Sequence, residues 1–154
     1  MIGKPAARCS SPRTTWATAH YWNAPFRDAG LGDRVRMVEN GDQLLAYLLR
    51  REQYADAARY PAPGLVLLDL NMPRKDGMEV IEEIRSQEGL KRLPVVVLTT
   101  SEQPEDVERC YALGANAFVT KPVEMGRLVR VIRELYHYWF DVVSLPRGPE
   151  PGGA

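Results

Sequence analysis

The sequence predicts an α/β fold, a doubly wound parallel sheet with helices on both faces. Two observations lead to this prediction. Three short apolar runs, at residues 65–68, 94–98 and 117–120, are typical of strands buried on both faces of a parallel sheet. Stretches with an apolar stripe at helical spacing separate these runs, and parallel strands need crossovers of that length.

Length and composition agree with one small globular domain. Of the 154 residues, 45% are hydrophobic and 26% are charged, which excludes an intrinsically disordered chain. Lys plus Arg and Asp plus Glu both total 20, so the net charge of zero gives no support for nucleic-acid binding. No apolar run approaches the roughly 20 residues that span a bilayer, so we expect a cytoplasmic protein without membrane contact.

The chain divides into three parts. Residues 1–25 form an aberrant N-terminal segment that contains no Asp or Glu and follows neither the helical period nor strand alternation. Residues 26–145 are ordered in pattern and form the expected domain. Residues 146–154 are a Pro/Gly tail that we expect to be disordered.

The first half of the domain predicts two strands and a helix. Residues 34–39 alternate like a strand, and Asn40 offers a helix N-cap before the apolar residues of 44–49. After a Pro/Gly break, the strand at 65–68 ends in Asp69.

The second half repeats the alternation. A helix with an acidic outer face covers 79–85, and the next strand, at 94–98, is followed by Thr99. Ser101 is the expected cap of the following helix, which ends before Gly114. The strand at 117–120 closes the predicted sheet.

The last helix, from about residue 124 to 144, carries more apolar surface than a core position needs. One stripe suits the core and a second predicts a partner surface. The core stripe is Leu128, Ile132 and Leu135, and the second stripe is Val129, Tyr136, Phe140 and Val143, extended by Trp139, Val142 and Leu145.

Three strands end in side chains that suit phosphoryl chemistry. Asp69, Thr99 and Lys121 follow the strands at the carboxyl edge, where open α/β sheets bind ligands. A carboxylate could act as the nucleophile, with the hydroxyl and the ammonium group neutralising phosphoryl oxygens. Taken singly, the same residues could be a turn cap, a strand former and a surface cation.

These strand ends lie in motifs that resemble the response-regulator receiver domain of two-component signalling. The motifs are Leu65-Val-Leu-Leu-Asp-Leu-Asn-Met-Pro-Arg-Lys-Asp-Gly77, Pro94-Val-Val-Val-Leu-Thr99 and Phe118-Val-Thr-Lys-Pro122. The resemblance implies a flavodoxin-like (CheY-like) fold and a single-domain response regulator. By this resemblance, Asp69 is the phosphoacceptor that attacks a phosphohistidine of a sensor histidine kinase, and the chain is not itself an enzyme.

The resemblance also assigns supporting roles. Asn71 would offer its backbone carbonyl, beside Asp69, to a Mg²⁺ ion, and Thr99 and Lys121 would bind the phosphoryl oxygens. The bond from Lys121 to Pro122 would be cis. Phe118 would hold the aromatic switch position, although core packing without switching is the alternative.

Two further expectations concern Gly77 and the C-terminus. Gly77 fits a turn after Asp69 that requires a positive φ. The ending at residues 136–146 is similar to the subgroup of receivers paired with bacteriophytochrome kinases, which implies a homodimer formed through the C-terminal helix.

The chain departs from the family at its start. Receivers have a first strand ending in two acidic residues that hold Mg²⁺, whereas no acid precedes Asp28. We therefore expect the central strand to be missing and the magnesium site to keep only Asp69 and a carbonyl. The alternative function is a degenerate receiver, a phosphorylation-independent interaction or dimerisation module.

Codon degeneracy suggests an origin for this segment. Read from one nucleotide earlier, the codons of residues 9–15 permit Leu-Leu-Val and then Glu-Asp-Asp. In this shifted frame, the codons that overlap the codons of residues 20–23 encode Leu-Leu-Glu, whatever the third bases of the original codons are. Compensating single-base changes near Arg8 and Pro25 would restore an acidic first strand, so our hypothesis is that residues 1–25 are translated out of frame.

Two other functions fit the sequence less well. An Asp-nucleophile phosphohydrolase would need a second Asp two residues after Asp69, where the chain has Asn71. A flavin-binding protein of the same topology would need a Ser/Thr/Gly-rich phosphate loop after the first clear strand, and none follows it.

Overall fold

The computed structural model describes residues 16–19, 23–56, 58–71 and 75–146. Over these residues, five strands alternate with five α-helices, and a π-helix and three short 3-10 helices complete the chain. The strands and α-helices are β1 (Trp16–Ala19), α1 (Asn23–Asp28), β2 (Val35–Val38), α2 (Gly41–Leu48), β3 (Leu65–Leu68), α3 (Gly77–Ser86), β4 (Val95–Thr99), α4 (Pro104–Leu113), β5 (Ala117–Thr120) and α5 (Met125–Tyr136). The 3-10 helices are Gly32–Arg34, Glu52–Ala55 and Glu88–Leu90, and the π-helix is His137–Val142.

The strands form one parallel sheet in the order β2-β1-β3-β4-β5. The prediction of a doubly wound parallel sheet is confirmed. All residues of β3 and β4 are buried, as expected for central strands covered on both faces. None of the helices in the described ranges is long and apolar enough to cross a bilayer.

The prediction that the central strand is missing is wrong. β1 lies within the segment 1–25 and pairs with β2 on one side and β3 on the other, so that Trp16 is level with both Val35 and Leu65. A slot between two strands stabilises an extended backbone even where the sequence lacks strand alternation. The rest of that segment, residues 1–15 and 20–22, and the predicted tail from residue 147 onward lie outside the described residues.

Two apolar clusters fill the two faces of the sheet. The cluster under α2, α3 and α4 includes Leu44, Ile81 and Cys110, and the cluster under α1 and α5 includes Phe26 and Ile132. These five side chains come from five different helices, so each helix contributes a buried anchor to the core. Burial raises the pKa of the Cys110 thiol to about 11.

Helix ends follow their sequence signals with one exception. Asn40 caps α2, with its side chain accepting a hydrogen bond from the Gln43 amide at 2.9 Å, and Gly114 ends α4 in the left-handed conformation. The prediction that Ser101 caps α4 is wrong. Gln103 holds the cap position, because Pro104 is pre-organised for the first helical residue and starts the helix there.

A single arginine joins α3 to the segments that precede β4 and β5. The Arg85 guanidinium donates hydrogen bonds to the carbonyl oxygens of Leu93 at 2.8 Å, Gly114 at 2.9 Å and Lys91 at 3.0 Å. It also donates to Asn116 Oδ1 at 2.9 Å. Burial lowers the pKa of Arg85.

The C-terminal helix differs from its prediction in two ways. It changes from α to π geometry after Tyr136, and Val129 and Tyr136 are buried, although the sequence placed them on a partner surface. Tyr136 packs in the cluster under α1 and α5, and its hydroxyl accepts a hydrogen bond from Arg34 at 2.5 Å. The exposed apolar residues of this end are therefore fewer than predicted, chiefly Tyr138 and Val142.

Candidate functional site

The carboxyl edge of the sheet brings three predicted side chains to neighbouring strands. Asp69 directly follows β3, Thr99 ends β4, and Lys121 directly follows β5. The backbone amide of Lys121 donates a hydrogen bond to the carbonyl oxygen of Thr99 at 2.6 Å. The ends of β4 and β5 are thus joined through main-chain atoms beside the loop that begins at Asp69.

The carboxylate and the hydroxyl of the site are both buried. Asp69 is 6% exposed and Thr99 is fully buried. Asp69 Oδ1 accepts a hydrogen bond from the Asn71 amide at 2.9 Å, which fixes the carboxylate against its own loop. The Thr99 hydroxyl oxygen lies 3.4 Å from the Ser101 amide, which donates to it. A buried carboxylate held in one orientation suits a nucleophile.

Gly77 is required by space and not by backbone conformation. The prediction of a positive φ there is wrong, because among the described glycines only Gly30 and Gly114 have one. Gly77 is the first residue of α3, and a Cβ atom there would lie 2.7 Å from the Asp69 carbonyl oxygen and 2.9 Å from the Leu70 Cα. Only a glycine lets the start of α3 approach the Asp69 loop this closely.

Lys121 and Pro122 are joined by a trans peptide bond, so the prediction of a cis bond is wrong. Trans is the lower-energy form of a bond to proline, and the amide of Lys121 can reach Thr99 with it. The Lys121 side chain is half-buried at the edge of the site.

Phe118 lies on β5 with a half-buried side chain that packs against the cluster under α2, α3 and α4. Its amide donates a hydrogen bond to the Tyr111 hydroxyl of α4 at 3.2 Å. Core packing is therefore one role of Phe118, and switching stays a prediction.

Sequence analysis missed Lys75, which ties the Asp69 loop to two helices. Its ammonium group pairs with Glu83 of α3 and lies 3.8 Å from an Asp42 oxygen of α2. The hydrogen bond to Glu83 raises the pKa of Lys75. Gly41 also packs here, since a Cβ atom on it would lie 2.9 Å from the Lys75 carbonyl oxygen. Neither contact has a sequence signal, because both depend on how α2 and α3 meet.

The donor set beside Asp69 does not fit a metal site of the family's kind. Mg²⁺ requires octahedral oxygen coordination, and proteins bind it through carboxylates plus phosphate oxygens. No group of three or more metal-ligating side chains occurs among the described residues. The residue after β1 in the sequence is His20, and no Asp or Glu occurs before Asp28. Of the ligands that the family resemblance implies, the chain therefore has only Asp69 and the Asn71 carbonyl.

Comparison with known proteins agrees with this arrangement. The family model described as "Response regulator receiver domain" matches residues 17–133, which include all of β1 except Trp16, the strands β2 to β5 and most of α5. The chain belongs to this family. Its function is accordingly that of a receiver in two-component phosphorelay signalling.

Individual response regulators resemble the chain over most of its length. Response regulator Rcp1 of Synechocystis sp. is 39% identical over 110 residues, which are 71% of this chain and 73% of that protein. The crystal structure of phosphorylated RcpA, a cyanobacterial phytochrome response regulator, superposes with a TM-score of 0.79 at 33% identity, covering 88% of this chain and 99% of that one.

A crystal structure of Rcp1 itself is of a metal-bound form. The crystal structure of Rcp1 in its Mn²⁺-bound form has a TM-score of 0.77 at 32% identity and covers 87% of this chain and 99% of that one. Rcp1 therefore binds a divalent cation, whereas this receiver lacks the acids expected after its first strand.

Proposed function

We propose that Asp69 is the phosphoacceptor of this receiver and that a sensor histidine kinase supplies the phosphoryl group. The observation that carries the proposal is a buried carboxylate after β3, beside the linked ends of β4 and β5 that carry Thr99 and Lys121. In the transfer, an Asp69 oxygen bonds to phosphorus while the bond from phosphorus to the donor imidazole nitrogen breaks, and the imidazole takes up a proton. The Thr99 hydroxyl and the Lys121 ammonium group neutralise the phosphoryl oxygens.

The donor that we propose is a bacteriophytochrome kinase, and the setting is the cytoplasm. Support comes from relatives whose names identify them as phytochrome response regulators. The chain would receive a phosphoryl group and pass the signal on through protein contacts, without nucleic acid, instead of turning over a substrate as an enzyme.

For Mg²⁺ we propose weak binding by Asp69 and the Asn71 carbonyl. One carboxylate supplies less charge than an acidic pair would, so Mg²⁺ affinity should fall well below that of receivers that have the pair. No step of the proposed transfer depends on the ion.

Small acyl phosphates test the phosphoacceptor directly. Purified protein is incubated with acetyl phosphate, with either Mg²⁺ or a chelator, and one added phosphoryl group is measured by intact mass. We expect labelling of the wild type, none of Asp69→Asn, and slower labelling of Thr99→Ala and Lys121→Gln. Thr120→Ala is the matched control, because Thr120 is exposed at the end of β5. Labelling of Asp69→Asn would refute the assignment.

A second function, a phosphorylation-independent interaction module, is favoured by the lack of any acid before Asp28. The two functions make opposite predictions. A module of this kind would remain unlabelled in Mg²⁺ and would bind the kinase equally well as wild type and as Asp69→Asn. Sequencing the gene across codons 8–26 tests the out-of-frame hypothesis at the same time, since a restored acidic pair would remove the reason for this alternative.

We also propose that the receiver forms a homodimer through its C-terminal helix. A groove between β5 and this helix is lined by Val119, Val131, Leu135 and Trp139, with Tyr138 exposed at its edge. An apolar groove of this kind suits a second copy of the same surface. Light scattering should give the mass of a dimer for the wild type and of a monomer for Tyr138→Lys. Val123→Lys, at a fully exposed apolar residue of another surface, should remain dimeric.

A further inference from the structure

The loop that carries Asp69 is held at its beginning by backbone amides. The Asn71 amide donates a hydrogen bond to Asp69 Oδ1 at 2.9 Å. The Gly77 amide donates to the Leu70 carbonyl oxygen at 3.2 Å. This second bond closes the loop, because it joins the residue after Asp69 to the first residue of α3. The position of the carboxylate therefore depends on where the loop meets α3.

Lys75 holds the other end of this loop against two helices. Its ammonium group pairs with the Glu83 carboxylate of α3 and lies 3.8 Å from an Asp42 oxygen of α2. Its main chain is also close to α2, since a Cβ atom on Gly41 would lie 2.9 Å from the Lys75 carbonyl oxygen. We call the two ion pairs of Lys75 the Lys75 bridge. The bridge fixes the chain two residues before the start of α3.

Partial burial distinguishes this bridge from an ordinary surface ion pair. The Lys75 side chain is 21% exposed and its two carboxylates are about half exposed, whereas the side chain of Lys91, which pairs with Glu88, is 49% exposed. Exposed pairs contribute little because water and salt screen them, and screening weakens as the charges are buried. The pair of Lys91 and Glu88 also lies within one short segment, whereas the Lys75 bridge joins α2, α3 and the loop.

We propose that Lys75 is a positioning residue for the transfer of a phosphoryl group to Asp69. The Lys75 bridge fixes the end of the loop, Gly77 packs there against the Asp69 main chain, and the carboxylate is held in turn. This inference rests on the proposed phosphoacceptor function. The chemical step is unchanged: an Asp69 oxygen bonds to phosphorus while the bond from phosphorus to the donor atom breaks, and Lys75 acts only through the loop.

Two other roles of Lys75 make different predictions. If Lys75 only stabilises the fold, its loss lowers the free energy of unfolding but does not change how fast the folded protein is labelled. If Lys75 attracts the anionic donor, its loss raises the donor concentration that gives half-maximal labelling. Removing a carboxylate that neutralises Lys75 would then speed labelling, whereas it should slow labelling if the bridge positions Asp69.

Labelling kinetics of the full chain separate these roles. Labelling by acetyl phosphate is followed by intact mass over a range of donor concentrations, at a temperature well below the melting temperature of every variant. Because a misplacement of about 1 Å can slow a reaction on the order of a hundredfold, partial loss of position in Lys75→Met should lower the saturating rate about tenfold. The half-saturating concentration should change little. Lys75→Arg keeps the charge and should recover most of the rate.

Variants of the two carboxylates and of a second lysine complete the kinetic test. Glu83→Gln and Asp42→Asn should each lower the saturating rate. In the Lys75→Met background neither should lower it further, because the bridge is already absent. Lys91→Met removes the ion pair with the residue three positions before it and should leave both kinetic constants unchanged. The proposal is overturned if Lys75→Met keeps the wild-type saturating rate, or if the two carboxylate variants speed labelling.

Amide hydrogen exchange tests the loop without any phosphoryl transfer. Loss of the bridge should speed exchange of the Asn71 and Gly77 amides in Lys75→Met but not in Lys91→Met, with the Val97 amide of β4 as the reference for global unfolding. Equal acceleration of all three amides would indicate lost stability alone and would overturn the proposal. If the wild type is not labelled at all, the phosphoacceptor function fails. The exchange rates then decide the positioning role by themselves: selective acceleration supports it, and unchanged rates overturn it.

Discussion

Replacing Gly77 with alanine should disturb the Asp69 loop more than any other single methyl group added to a glycine near the site. The new Cβ atom would lie 2.7 Å from the Asp69 carbonyl oxygen and 2.9 Å from the Leu70 Cα, and both neighbours are backbone atoms that cannot rotate away. Ordinary contact begins near 3.4 Å, so the loop or the start of α3 must retreat by several tenths of an ångström.

Overpacking of this size costs about 1–3 kcal/mol. For a domain of this length each kcal/mol corresponds to roughly 2–4 °C, so Gly77→Ala should melt about 2–12 °C lower than the wild type. Because the displaced atoms belong to Asp69 itself, labelling by acetyl phosphate should also slow, on the order of tenfold.

Gly89→Ala is the matched control. Gly89 has no neighbour within 4 Å of its ideal Cβ position and no positive φ, so alanine there should be neutral or slightly stabilising. Urea unfolding followed by circular dichroism, together with acetyl phosphate labelling, compares the two variants. Equal stability and equal labelling of Gly77→Ala and Gly89→Ala would show that the close approach of Gly77 to Asp69 affects neither stability nor phosphorylation.

Three further predictions concern stability. Arg85→Lys should lower the free energy of unfolding, measured in urea, by about 1–3 kcal/mol, because lysine cannot donate hydrogen bonds to all the carbonyl oxygens that the guanidinium satisfies. The control Arg92→Lys, at an exposed site, should change this free energy little. Burial raises the Tyr47 pKa from 10.0 to about 12, so the folded state holds this proton more tightly. That stabilisation is complete below pH 10 and is lost as the pH rises toward 12, and Tyr47→Phe should flatten the stability profile in this window. Asn40→Ala should cost about 1 kcal/mol by leaving the Gln43 amide without its cap, and an unchanged melting temperature would contradict this.

The sequence was sufficient for the parts of the fold that depend on local pattern. Residues 65–68 read as a strand because all four are apolar, and Asn40 and Gly114 mark helix ends through their own side-chain or backbone chemistry. The placement of Asp69, Thr99 and Lys121 at one edge followed from parallel topology alone.

The remaining features depend on contacts between elements that are distant in sequence. Trp16–Ala19 becomes a strand because β2 and β3 flank it, and Gly77 is needed because α3 starts against Asp69. Tyr136 is buried because it packs in the cluster under α1 and α5, where its hydroxyl accepts a hydrogen bond from Arg34. These contacts join residues that are far apart in the sequence. No hydrophobic period or motif spacing indicates them, so they could not be predicted from the sequence.

The main-chain bond between Lys121 and Thr99 has a consequence for how this site can change over generations. Because it joins an amide to a carbonyl, mutation of either side chain leaves the bond in place. A lineage could therefore lose the ammonium or hydroxyl group and later regain it without rebuilding the frame that carries them. The loop that starts at Asp69 depends instead on side chains, namely the absence of a side chain at Gly77 and the charge of Lys75. We therefore expect substitutions at these two positions to be the first that inactivate the site.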